Sequence, residues 1–399
     1  MVDVGAVARK ARRSQTDCSG TLSAKLIELH IRPADDYALA DYEAFCSNAT
    51  HAQAQHPLWV RAWITATGAD VIVVSVQNEG RPVLMLAIEV ASVGPFRIAG
   101  FLGGPHANGN FPPFSTAGGH VIGRTELETI RDAISNARPD IDLICLERQV
   151  LELRGTENPF APYATMRSAN IALATDLTDG MDAMLARMNG KRKRKKLRYT
   201  ANKFQEAGGH RWIEANSPEE VETLLTAFFE MKAMQFRKRG IVDPFASKEV
   251  RRFFLHLFTD ALKQSPAPFV LQAVEVGGEI TGVNGYSVTE HSLICEFCAI
   301  RDGDAALSPG FYLDYVAMEE ACRRGKAIYD FSVGDDDYKR SWCDIETVQF
   351  DLLLPLNVKG RVAATVKIAR ARAISAIKSN RQFWTLAKVL RKRVVGRRD

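Results

Sequence analysis

Two stretches of this 399-residue chain hold the side chains from which a reactive site can be built: Leu307-Ser-Pro-Gly-Phe-Tyr312 and Tyr329-Asp-Phe-Ser-Val-Gly-Asp-Asp-Asp-Tyr-Lys-Arg-Ser-Trp342. The first falls between an expected strand and an expected helix. Ser308 suits a helix cap, Pro309 the first helical position, and Gly310 lets a ligand approach the main chain. The N–H groups of Gly310, Phe311 and Tyr312 would then face outward at the positive end of the helix dipole, which is how a helix end holds phosphate or pyrophosphate. The second stretch gathers Asp335, Asp336, Asp337, Tyr338, Lys339 and Trp342 at a strand end, where sites of α/β proteins usually lie. Its plainer reading is a solvated acidic loop. Lys339 suits an acceptor carboxylate or a phosphate, or an ion pair with Asp335 or Asp336. Glu296 stands inside the strand pattern Leu293–Ile300, where a carboxylate is costly unless it is paired or used.

The second half of the chain supplies the elements that would position these groups. Trp212-Ile213 is a short strand. Ser217-Pro-Glu-Glu220 opens a helix as a capping box, and Ser247 opens the next. Strands at Phe269–Val276, Glu279–Val288 and Leu293–Ile300, joined by short turns, form an antiparallel meander. A helix over Ser308–Arg324, a strand over Ala327–Val333 and a strand over Val348–Leu354 complete it. The first half runs through a looser version of that order: a strand from Lys25, two helices, the strands Val71–Val76 and Val83–Ile88, a Gly- and Pro-rich loop over Gly100–Gly119, a helix and the strand Ile141–Leu146. This implies a mixed α/β architecture with a weak internal duplication.

Composition narrows the class. Apolar residues make up 46% and charged residues 25%, ordinary globular values. No run approaches the ~20 uninterrupted apolar residues of a membrane span. The first thirteen residues lack an apolar core, so no secretory signal is expected, and residues 1–24 read as a disordered tail. Seven cysteines, an odd number spread along the chain, favour a reducing compartment over a disulfide framework. Cys295 and Cys298 lie at i and i+3 of one strand, which predicts opposite faces and no shared metal; no metal site is expected.

The net charge of +5 hides two basic blocks. Residues 187–203 hold nine Lys/Arg and no acid; residues 356–399 hold thirteen and one. The remainder is acidic. The first block lacks interleaved aromatics, which argues against nucleic acid and leaves a phosphate- or membrane-facing patch or the solvated face of a connecting helix. The second, with Val362, Val366, Ile374, Phe383 and Trp384, reads as a basic amphipathic helix. It suits either an anionic membrane surface or acidic partner, or packing on its own protein.

From Phe228 to Leu354 the chain resembles the GNAT-fold acetyltransferase domain of the cellulose-biosynthesis CelD-like family, itself similar to the Fem-type aminoacyltransferases of peptidoglycan synthesis. The matching pieces are Met231-Lys232 through Arg239-Gly240, Ser308-Pro309-Gly310, Gly325, Asp330-Phe331, Gly334-Asp335, Tyr338-Lys339 and Trp342. The first half matches more loosely, through Pro57-Leu-Trp59 and Ala62-Trp63. The resemblance implies tandem GNAT-like domains over 25–180 and 211–355, with a basic connector over 181–210 and a helical tail over 356–399. It also implies a cytoplasmic enzyme that moves an acyl group from acetyl-CoA or another acyl-CoA to an amine or hydroxyl of a small-molecule or saccharide acceptor. Glu296 or Asp330 would be the general base and Tyr338 or Tyr312 the acid for the leaving thiol. Ser308, Gly310, Phe311, Tyr312 and Arg301 would hold the coenzyme, and Lys339, Asp335 and Trp342 the acceptor. The usual R-x-x-G-x-G/A pyrophosphate loop is absent; Arg301 and Ser308-Pro-Gly310 stand in its place. Two further readings are an aminoacyl-tRNA donor, and a non-catalytic module docking on a membrane-bound biosynthetic complex.

Overall fold

The structure, a computed structural model, describes residues 27–379 apart from residue 120 and residues 304–306. The tail at 1–24 and the end of the basic segment lie outside the described residues. The N-terminal half contains β1 (Glu28–Pro33), α1 (Asp36–Cys46), α2 (Pro57–Thr67), β2 (Val71–Asn78), β3 (Arg81–Val93), β4 (Phe96–Phe101), α3 (Arg124–Ala137) and β5 (Leu143–Val150). A small hairpin follows, β6 (Glu152–Leu153) with β7 (Thr156–Glu157), and then β8 (Met166–Asp176). The connector forms α4 (Gly180–Arg187) and α5 (Gly190–Glu206). The C-terminal half contains β9 (His210–Glu214), α6 (Pro218–Arg239), α7 (Lys248–Ala261), β10 (Phe269–Val276), β11 (Glu279–Val288), β12 (Ser292–Ile300), α8 (Pro309–Arg323), β13 (Ile328–Val333), α9 (Asp337–Arg340) and β14 (Ile345–Pro355). Helix α10 (Val358–Ser379) closes the described chain.

Twelve strands form one sheet in the order β1-β2-β3-β4-β5-β14-β8-β13-β12-β11-β10-β9. Each half contributes strand, two helices, three antiparallel strands, helix, and a parallel strand. The last strand of each half is exchanged: β8 leaves β5 and pairs with β13, whereas β14 leaves β13 and pairs with β5. β8 and β14 then pair antiparallel at the centre. β8, which ends at Asp176, thus pairs with β13 and β14.

Neither β4 nor β8 is marked by the sequence pattern. Their Ala and Gly content gives little strand propensity. In β4, Gly100 is required by proximity, since a Cβ there would stand 2.9 Å from the carbonyl oxygen of Cys145. The helices conform better. Ser217 Oγ accepts from the N–H of Glu220, while Glu220 reaches back to the N–H of Asn216, and Ser247 caps α7. Trp59 and Trp63 of α2 pack edge-on against Phe253 of α7, so one aromatic core spans both halves.

The parallel pairs β4–β5 and β12–β13 are short. β12 and β13 pair only over Ser292–Ile294 against Ile328–Asp330, and beyond that their C-terminal ends diverge. Glu296 is skipped in the β11–β12 register, where Gly285 faces Phe297 and Tyr286 faces Cys295. It is thus the extra residue of a β-bulge, which reverses the alternation beyond it. Leu293 and Cys295 pack toward α8, whereas Phe297 and Ala299 pack toward α6 and α7. Cys298 returns to the α8 face, in the same cluster as Cys295. The expectation of opposite faces fails because the bulge adds one residue to the count.

Helix α10 is seated by Asn357, whose side chain accepts from the N–H of Gly360 and donates to Asp142. A Cβ on Gly360 would fall 1.8 Å from the carbonyl oxygen of Asp142, main chain that has little room to yield. Gly360→Ala is expected to cost about 1–3 kcal/mol and lower the melting temperature by several degrees; calorimetry of the full chain checks this.

Candidate active site

A cavity of about 190 Å³ lies where the two halves meet. The N-terminal half supplies His51, Gln53 and Asn108 to its wall; β12 supplies Glu296, β13 supplies Asp330, and β14 supplies Gln349. The bulge aims Glu296 into this space. Its Oε1 accepts from Ser287 Oγ at 2.5 Å, and its Oε2 accepts from Asn108 Nδ2 at 2.9 Å. Asn108 Nδ2 also donates to the main-chain oxygen of Glu296, and the Asn108 carbonyl accepts from Gln349. One asparagine of a Gly- and Pro-rich loop therefore positions a carboxylate of the opposite half.

Burial pushes the Glu296 carboxyl up to about 7, against the lowering effect of Ser287 and Asn108, and the neighbouring Asp330 raises it further. Asp330 is raised by burial to about 6, although it accepts from the N–H of Ser332 at 2.6 Å. Two carboxyls near neutrality beside one cavity suit proton transfer. Gln53, Ser332 and Gln349, all in the lining, each carry a side-chain oxygen without a protein hydrogen-bond partner. Buried polar atoms normally have one, so the lining suits a polar occupant.

Tyr338 does not line this cavity. Its hydroxyl lies 3.9 Å from Cys298 Sγ at the diverging ends of β12 and β13, and burial and the Cys298 charge hold its pKa above the ordinary phenol value. The neighbouring Cys295 thiol, with the nearby charges of Lys232 and Lys339, holds Cys298 below the usual thiol range. Lys339 is buried, and its Nζ donates to the carbonyls of Phe331 and Val333 at 2.7 and 2.8 Å. It ties down the end of β13, where Ser332 and Gly334 both have positive φ. Asp335 pairs with Arg340 on the surface. Trp342 is buried and stacks on Phe311 with centroids 5.3 Å apart. The three residues expected to hold an acceptor thus each have an internal partner, and the structure gathers none of them at the cavity.

Ser308 makes no capping bond; it adopts a left-handed conformation, φ 55°, and α8 starts at Pro309. Gly310 lies against Ile300, where a Cβ would come within 3.3 Å of the side chain. Tyr312 is tied to His210 through its hydroxyl, and Arg301 pairs with Glu279. Basic helix α5 lies alongside: Lys196 Nζ sits 4.3 Å from the Phe311 ring centre, and Lys193 Nζ 3.6 Å from that of Trp342. Burial and the neighbouring Lys196 and Arg192 lower Lys193 to about 8. Lys193 Nζ is buried and donates to the carbonyl of Ser341 at 2.7 Å, whereas Lys196 stays exposed beside the start of α8.

Residues 191–340 match a family model described as an acetyltransferase (GNAT) domain. No curated protein matches the chain in sequence. The structure of FemX is similar over 79% of this chain and 96% of its own, with a TM-score of 0.56 at 12% identity. The segment that matches the family model lies in the C-terminal half, and the N-terminal half repeats the same order of elements. A conserved protein of unknown function from Bacteroides thetaiotaomicron is also similar, over 82% of this chain and all of its own (100%), with a TM-score of 0.51 at 13% identity. A tandem GNAT protein of the clavulanic acid biosynthesis pathway aligns over 83% of this chain and 99% of its own, with a TM-score of 0.46 at 13% identity. Within the matched residues, β12 and β13 are a short parallel pair connected by α8. Among the described residues no cluster of His, Cys, Asp or Glu is arranged for a metal.

Asn108, Gln349, Ser287 and Gln53 were not among the expected site residues. The signal for Asn108 was weak: Asn108-Gly-Asn110 reads as a turn, and only the fold brings it to Glu296. Because the pKa of Glu296 is raised from about 4.5 to about 7, the folded state holds this proton longer than the unfolded chain does. Stability from this group is fully present below pH 4.5 and is lost as pH rises to about 7, by about 3 kcal/mol. Glu296→Gln is expected to match wild type at pH 4 and exceed it at pH 8; denaturant melts at both pH values check the difference.

Proposed function

We propose that this chain is an acyltransferase that moves an acyl group from an acyl-CoA to an amine- or hydroxyl-bearing acceptor seated in the cavity between the halves. The observation that carries the reading is Glu296, a bulge carboxylate poised near neutrality and held by a residue of the other half. An acyl-CoA would supply the activated carbonyl. The N–H groups at the start of α8, with the exposed Lys196 beside them, would hold its phosphates. Each oxygen of Glu296 keeps a lone pair beyond its one hydrogen bond, so the carboxylate can take the acceptor's proton. Tyr338, at the splayed strand ends, would return a proton to the leaving sulfur. Work on a saccharide of cellulose-type or envelope biosynthesis is the narrower reading and rests on the sequence resemblance.

A second reading is favoured by one feature. Lys191, Arg192, Lys195 and Arg198 form an exposed basic face of α5 next to the same helix start. That face would suit a longer polyanionic donor such as an aminoacyl-tRNA, as in the Fem-type enzymes that the sequence resembles.

Calorimetric titration with acetyl-CoA, followed by transfer assays across amine and hydroxyl acceptors, separates these readings. Saturable acetyl-CoA binding is expected, with turnover that rises through pH 7 as Glu296 ionises. Glu296→Gln should lower the rate at least ~100-fold and leave acetyl-CoA affinity within a factor of about two. A variant as fast as wild type would overturn the role of Glu296. Absence of acetyl-CoA binding would overturn the coenzyme assignment.

A further inference from the structure

Helix α10 has two apolar faces. Gly360, Ala363 and Ala364 are buried toward the sheet, where the helix packs on Leu143, Cys145 and Leu353. At 3.6 residues per turn, Val358, Val362, Val366, Thr365, Ala369 and Ala373 form a stripe on the opposite side, and all six are exposed. The three valines are 70%, 51% and 55% accessible. Cations flank the stripe on both sides: Arg361 and Arg372 along one edge, Lys359 and Arg370 along the other, all exposed. An ordinary surface helix turns its polar residues outward; this one turns outward an apolar strip bordered by positive charge.

We infer that the outer face of α10 is a docking surface for an anionic lipid bilayer, with the valine stripe entering the headgroup–acyl boundary and the flanking Lys and Arg meeting lipid phosphates. Charge selects this occupant. Residues 356–398 contain thirteen Lys/Arg and no Asp or Glu, so two copies of the chain meeting through the stripe would set like charges against each other. The sequence beyond the described helix adds seven of those cations, together with Phe383 and Trp384, residue types that favour the membrane interface. Contact of this kind is peripheral, since no described helix is long and apolar enough to cross a membrane. The inference stands apart from the catalytic reading: neither the cavity nor the start of α8 includes α10.

The test is co-sedimentation of the full chain with vesicles of phosphatidylcholine alone and with a third phosphatidylserine, at 50 and 500 mM salt. Binding to the anionic vesicles is expected at low salt, at least tenfold stronger than to neutral ones, and weakened at high salt. Val362→Glu with Val366→Glu should abolish it, as should Arg361→Gln with Arg372→Gln, both at unchanged melting temperature. The second pair guards against a folding defect in the first. Equal binding by both variants and wild type, or no binding by wild type, would overturn the inference. So would light scattering that shows a dimer broken by the valine substitutions, which would make a second copy the occupant.

Discussion

The two hydrogen bonds from Asn108 to Glu296, one to its carboxylate and one to its main-chain oxygen, are the constraint around which this protein is organised. A carboxylate in a sheet interior is unfavourable unless its oxygens are satisfied. Here the satisfaction comes from a loop of the other half, so the site exists only while the halves are locked together. The bulge at Glu296 does two things at once. It aims the carboxylate into the inter-half cavity, and by reversing the alternation of β12 it sends Cys298 to the far face beside Tyr338.

The strand exchange explains how such a junction is kept. Two units joined by a flexible connector could rotate against each other, and a 2.9 Å contact across them would be lost. With β14 hydrogen bonded to β5 and β8 to β13, the halves cannot separate without breaking the centre of a continuous sheet. The α2–α7 aromatic packing adds a second, non-directional restraint. Rigidity of this sort is what a proton-transfer site requires, because the base must be held within hydrogen-bond reach of its proton.

Much of the fold was legible in the sequence where local chemistry decides it. Ser217, Ser247 and Pro57 mark helix starts, the apolar runs of β10 to β12 mark strands, and the shared order of elements marks the duplication. Legibility failed where tertiary contact overrides local preference. β8 is poor in strand formers and is held by neighbours on both sides, and β4 tolerates Gly100 because Cys145 approaches it closely. The strand exchange has no local signature at all. At the site, Glu296 and Asp330 could be picked out as carboxylates in strand patterns, and the structure brings them to one cavity. Lys339 and Trp342 could not be told from ligand-binding residues, because a buried cation bonded to carbonyls and an aromatic ring under a lysine have the same letters as a binding pocket. Asn108 was invisible, since its partner lies 188 residues away.

The most direct test of this account is the ionisation of Glu296 itself, followed by carbon-13 NMR of glutamate-labelled protein with Glu296→Gln used to assign the signal. The account predicts a midpoint near pH 7, displaced upward when Asn108→Ala removes the bonds from the other half. A midpoint at the ordinary value near 4.5, unaffected by Asn108, would mean that Glu296 is a solvated surface carboxylate and that the junction between the halves is not the reactive site.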